Sequence, residues 1–184
     1  MIGLLGLTVM APAYAQEIDK TKALKVKAAY LFNFAKFIEW PNKADGQTKS
    51  PFVFGVMGND SFGRVLGRTV RAKSIAGRTI EVRRMQWDAT EDRSALRSCH
   101  ILFIGSSERS RVGDIFAALQ GAPTLLVSDL EGFARAGGMI GFVLEAGRIV
   151  FEINQQAIEA VGLKVSSKLL RLARIVESKR RTQR

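Results

Sequence analysis

The chain has 184 residues, 47% hydrophobic and 24% charged, with one cysteine, one histidine and a formal net charge of +11. That length fits one ordinary domain able to bury a core without staples, and the apolar fraction excludes a disordered chain. One cysteine excludes an internal disulfide, and with one histidine it cannot supply a zinc site of the usual kind.

Residues 1–15, MIGLLGLTVMAPAYA, are uncharged and mostly apolar, and Ala13-Tyr14-Ala15 has the small-x-small form of a signal-peptidase site. The run is shorter than the roughly 20 residues of a spanning helix, and it lacks the usual basic start of a leader. A cleaved signal peptide is expected over a buried N-terminal helix, because Gln16 opens the polar stretch QEIDKTK. Residues 16–184 then form a single extracytoplasmic domain, with 179–184 as a flexible basic tail. No later segment is apolar enough to span a membrane. Between Lys164 and Arg184, eight basic residues face one acid, Glu177, so this stretch carries most of the net charge. Such a cluster suits an acidic protein face or anionic lipid, and an extracytoplasmic address argues against nucleic acid.

Apolar residues Leu24, Ala28, Leu31, Phe32, Ala35 and Ile38 recur at helical spacing and predict a helix over Thr21–Glu39, ended by Pro41. A loop follows over 42–50. The run PFVFGVMGND predicts a buried strand, and Ser61 a capped helix from Phe62 to Val70. A turn at Ile75–Arg78 precedes an alternating strand over Thr79–Met85, and Asp88–Leu96 is a polar helix candidate. CHILFIG predicts a second buried strand, Ser107 caps a helix through Leu119, and TLLVSD predicts a third buried strand. Apolar strands alternating with short helices argue for an α/β fold: a three-layer, mostly parallel sheet with helices on both faces.

The loops at Gly58–Ser61, Gly105–Glu108 and Ser128-Asp129 fall at strand ends, where open α/β sheets bind ligands, but none has a dinucleotide or phosphate-loop spacing. Adjacent Cys99 and His100 point to opposite faces if extended and cannot form a thiolate–imidazole pair. Cys99 reads as a buried thiol, with a redox or intermolecular role as the alternative. His100 reads as structural. No nucleophile elbow, carboxylate pair or cofactor motif is present, so neither an enzyme nor a cofactor is expected.

The C-terminal block predicts a β-hairpin plus helices. Glu145–Arg148 turns GFVL into IVFE, and Gln155–Val161 forms a helix ended by Gly162. Ser166 or Ser167 caps a final amphipathic helix with Leu169, Leu170, Leu172, Ala173 and Val176 inward. Lys168, Arg171 and Arg174 then form a basic stripe.

The strings VKAAYLFNFAKFIEWP, SCHILFIGSSE, VSDLEGFARAGGMIGFV and RIVFEINQQAIEAVGLKVSSKLLRLARIV, in this order, resemble the YfiR-like family of periplasmic regulators. The resemblance implies a periplasmic, often dimeric α/β protein. Such a protein represses an inner-membrane diguanylate cyclase by binding its periplasmic sensory domain, and so lowers cyclic di-GMP and biofilm formation. An outer-membrane lipoprotein antagonist is also implied. Some members carry two disulfides; here Cys99 alone matches such a position. Matching of the FEIN–helix region points to Glu152 and Ile158 as partner contacts, and the charge stripe adds Lys168 and Arg171. Glu152 has the competing reading of an internal pair with Arg148 or Arg171. The alternative function is a periplasmic small-ligand-binding protein using the strand-end loops.

Overall fold

A helix of 25 residues, α1 (Ala13–Phe37), opens the part of the chain described by the computed structural model, which comprises residues 13–41, 50–87 and 93–178. Most of the expected leader, most of the 42–50 loop, the start of the 88–96 helix and the 179–184 tail lie outside the described residues. The helix starts earlier than Thr21 because Ala13 to Lys20 contains neither proline nor glycine to stop it. It stops at Phe37, before Pro41, because Ile38–Glu39 (β1) leaves the helix to pair antiparallel with Lys164–Val165. Among the described residues no helix is long and apolar enough to cross a membrane.

Next come β2 (Phe52–Met57), α2 (Asp60–Val70), β3 (Ser74–Ile75) and β4 (Arg78–Met85). The cap of α2 is Asn59, whose Oδ1 accepts from Phe62 N at 2.9 Å, and Ser61 lies within the first turn instead. Then follow α3 (Ser94–Arg97), β5 (Ile101–Ile104), a 3-10 turn at Ser106–Arg111, α4 (Val112–Ala118) and β6 (Leu125–Ser128). Ser107 does not cap a helix. Its hydroxyl donates to Gly58 O at 2.7 Å, which diverts it and leaves the first turn in the tighter 3-10 form.

The chain ends with β7 (Ile140–Glu145), β8 (Arg148–Ile153), α5 (Gln155–Glu159), β9 (Lys164–Val165), α6 (Ser167–Leu170) and β10 (Arg174–Ile175). Ala146 (φ 46°) and Gly147 (φ 75°) form the two-residue turn between β7 and β8, both with the positive φ that matches strand twist. The final helix is a single turn capped by Ser166. The chain then becomes the parallel neighbour of β8, with Val176 N donating to Ile153 O at 2.9 Å. Ile175 and Val176 are β-branched and lie beside an otherwise open strand edge, so sheet pairing wins over helix continuation.

The sheet has eight strands in the order β10-β8-β7-β6-β5-β2-β4-β3, parallel from β4 through β7. Pairing registers put Val56, Phe103, Val127, Ile140 and Ile153 on one face. There α1 and α2 pack together: Phe34 meets Phe151 at 5.1 Å and Phe142 at 5.9 Å, and Phe62 meets Phe103 at 4.2 Å. The opposite face carries Leu102, Leu126, Gly141 and Glu152. It is covered by the turn at 130–138, where Phe133 meets Phe116 of α4 at 5.5 Å. The fold is therefore the expected three-layer α/β arrangement with a C-terminal hairpin and short helices.

Candidate partner-binding face

The strand β8 distributes its side chains between the two layers. Phe151 and Ile153 enter the α1 side of the core, while Glu152 and Asn154 point toward the 130–138 turn. Glu152 sits opposite Gly141, and a Cβ at Gly141 would lie 3.4 Å from Ala134 N, so the turn rests directly on the strands. Asn154 is fully buried and joins three elements. Its Nδ2 donates to Ala134 O at 3.0 Å and Ser178 Oγ at 2.7 Å, and its Oδ1 caps α5 by accepting from Ala157 N at 3.1 Å.

Glu152 is 5% exposed and ion-paired internally. Arg135 donates to its Oε1 from Nε at 3.2 Å and Nη2 at 2.8 Å, and Arg174 Nη1 lies 3.9 Å away. The internal partners are thus Arg135 and Arg174; Arg148 and Arg171 make no such contact among the described residues. Ile158 is fully buried on α5 and belongs to the core. Neither Glu152 nor Ile158 presents its side chain at the surface of this fold, so the contacts expected of them are not available without rearrangement.

Lys168 and Arg171 are exposed, and neither is ion-paired among the described residues. Arg174 is split from them: it lies on β10, and its Nη1 meets Glu145 Oε1 at 2.6 Å. The Glu145 carboxylate beside it raises the Arg174 pKa. The basic stripe is therefore a pair of free cations followed by one tethered to the hairpin. Beside them, Leu172 (72% exposed) and Ile175 (50%) project from the sheet edge, so Leu172 does not face inward. Sequence reasoning missed both because the expected helix put Leu172 inward and gave Ile175 no role. Leu144, 73% exposed near the hairpin tip, adds a further apolar side chain.

The strand-end loops close on one another. The strand order reverses between β2 and β5, where Gly58 and Gly105 abut: a Cβ on Gly105 would lie 2.9 Å from Gly58 O. Ser107 and the buried Glu108 fill this switch point, with Glu108 Oε2 accepting from Arg111 Nη1 at 3.1 Å. Asp129 is engaged by Lys27 of α1 at 2.6 Å, a clamp between helix layer and sheet.

Cys99 is buried with its Sγ 3.5 Å from Met85 Sδ, and burial pushes its thiol up to about 11. At neutral pH it is a thiol with little nucleophilic character. His100 Nδ1 accepts from Val53 N at 3.1 Å, its ring stacks on Phe52 at 4.5 Å, and burial, with Arg78 nearby, lowers its pKa to about 4.

Among solved structures, an ABC domain from Streptococcus pneumonia, in complex with L-Trp, matches with a TM-score of 0.48 and 11% identity. The match covers 67% of this chain and 55% of that one, so it spans little more than half of that protein's length. No curated protein matches. A family model described as YfiR/HmsC-like matches residues 24–174, from the first turns of the apolar face of α1 to the start of β10. The chain belongs to the YfiR/HmsC-like family.

Proposed function

We propose that this protein is a periplasmic regulator that represses an inner-membrane diguanylate cyclase by binding that enzyme's periplasmic sensory domain. Cyclic di-GMP and biofilm formation fall as a result. The observation that carries this reading is the family match over residues 24–174. The protein acts by contact and not by catalysis. Export is accompanied by cleavage after Ala15, and an outer-membrane lipoprotein relieves repression by competing for the regulator. A homodimer belongs to the same reading.

The contact surface is the sheet edge formed by α6 and β10. Exposed Leu172 and Ile175 offer an apolar centre, and Lys168 and Arg171 a cationic rim, the division found in protein interfaces. Glu152 and Asn154 hold that edge to the hairpin and to the 130–138 turn from beneath. Deleting the gene raises cellular cyclic di-GMP and biofilm mass, and re-expression reverses both. Unchanged cyclic di-GMP in the deletion strain overturns the proposal.

A further inference from the structure

We propose that the α1–α2 layer is an electrostatic docking face for the anionic phospholipid headgroups of a bilayer surface. Lys20, Lys22, Lys25 and Lys36 on α1, Arg64, Arg68 and Arg71 on and just beyond α2, and the nearby Lys73 are all exposed. None is ion-paired among the described residues, and the acids of the two helices stand at their starts, Glu17 and Asp19 in α1 and the exposed Asp60 in α2, with none in residues 20–37 or 61–73. The one further cation in these stretches, Lys27, is neutralised by Asp129. Several basic residues elsewhere do have acidic partners: Arg83 has Glu81, Arg111 has Glu108, Arg135 has Glu152 and Arg174 has Glu145.

Lys22, Lys25 and Lys36 fall within about 60° of one another on the outward side of α1, beside the cations of α2, whereas Lys20 lies about 200° round the helix from Lys22. Phe32 of α1 lies under Lys36 Nζ at 5.5 Å and Lys73 Nζ at 4.5 Å, which joins the two rows. Arg64, Arg68 and Arg71 follow one helical stripe, and Lys22 to Lys36 spans about 21 Å at the usual helical rise. Arg84 crosses Gly63 from the sheet edge and extends the face: a Cβ on Gly63 would lie 3.1 Å from its Cγ.

The choice of occupant follows from what this face lacks. A protein partner needs desolvated apolar or aromatic anchors at the centre of its contact. Among the described residues the exposed large apolar side chains are Val26, Leu144, Leu172 and Ile175, and only Val26, 36% exposed, belongs to this layer. A broad array of cations without anchors fits a broad array of phosphates, to which each Lys or Arg adds a separate increment of attraction. Such docking would place the protein beside membrane-embedded partners, yet it does not depend on what those partners are.

The test is co-sedimentation of the purified protein with vesicles rich in phosphatidylglycerol and with vesicles of phosphatidylcholine alone, at low and high salt. Binding is expected to the anionic vesicles only and to weaken with salt. Substituting Arg64, Arg68 and Arg71 together by Gln is expected to lower partitioning about 100-fold, at about fivefold for each cation removed. Substituting Lys22, Lys25 and Lys36 by Gln reads the same face independently if the first variant fails to fold. The isocharge control Arg97→Gln, Arg109→Gln and Arg148→Gln removes exposed cations outside this layer and is expected to retain most binding. Equal losses in the control and face variants overturn the proposal in favour of net charge alone. Equal binding to phosphatidylcholine overturns it in favour of an apolar leader. Binding to heparin in solution without binding to vesicles overturns it in favour of a soluble polyanion.

Discussion

Arg135 and Glu152, 17 residues apart, pin the 130–138 turn to the back of the C-terminal hairpin through two hydrogen bonds to one carboxylate oxygen. Glu152 is nearly buried, whereas the Arg135 side chain is 45% exposed, so the pair is asymmetric. Removing Arg135 strands a buried carboxylate with only the more distant Arg174; replacing Glu152 by Gln keeps an acceptor. Because solvent screens Arg135, Arg135→Ala is expected to cost about 1–2 kcal/mol, below the range for a fully buried pair. Glu152→Gln is expected to cost less than about 1 kcal/mol. Urea unfolding of the single and double variants checks this, and additive losses would show that the two groups are uncoupled.

The parts of this architecture legible in the sequence were those fixed by local pattern. Runs such as FVFGVM are buried on both faces and announce a parallel sheet, and Ala146-Gly147 announces the hairpin turn. The parts that were not legible depend on partners distant in sequence. Leucines and a basic stripe after Ser166 have helical spacing, but the open edge of β8 recruits Arg174–Ile175 as a strand. The same applies to Glu152: the matching FEIN–helix region points to a partner contact, while its Arg135 partner lies in an irregular turn that no periodicity reveals. The helical layer of unpaired cations becomes visible only when α1 and α2 are seen packed together.

His100 gives stability a pH dependence with a defined sign. Its folded pKa, about 4, lies below its ordinary value of 6.5, because burial and then Arg78 disfavour the imidazolium. Protonation at Nδ1 also removes the acceptor for Val53 N. The neutral ring's contribution is therefore complete above pH 6.5, is lost as pH falls toward 4, and changes no further below that. As this is the chain's one histidine, the urea midpoint is expected to fall from pH 7 to pH 5 in the wild type and much less in His100→Gln. Equal slopes in both proteins would assign the effect to carboxylates.

Ile158 separates a core role from a contact role. It is fully buried on a helix held by the Asn154 cap, so Ile158→Ala is expected to destabilise by about 2–4 kcal/mol and Ile158→Val by about 1 kcal/mol. Sensor-domain affinity, expressed per folded molecule, is expected to stay unchanged in Ile158→Val. A drop of tenfold in that conservative variant, with its melting temperature nearly intact, would place the side chain in the binding event after all.

Charge reversal at Lys168 and Arg171 tests the proposed edge directly. Both side chains are exposed and free of ion pairs among the described residues, so the double variant Lys168→Glu, Arg171→Glu is expected to melt within a few degrees of wild type. Binding to an acidic sensor-domain surface is expected to weaken about tenfold or more at low salt, chiefly through slower association. The difference should narrow at high salt as exposed charges are screened. Leu172→Ser with Ile175→Ser, by contrast, removes apolar area and should weaken binding by a factor that salt hardly changes. Wild-type affinity in the charge variant would remove this pair from the contact. It would leave Leu172 and Ile175 as the surface to map, since Arg174 is already held by Glu145.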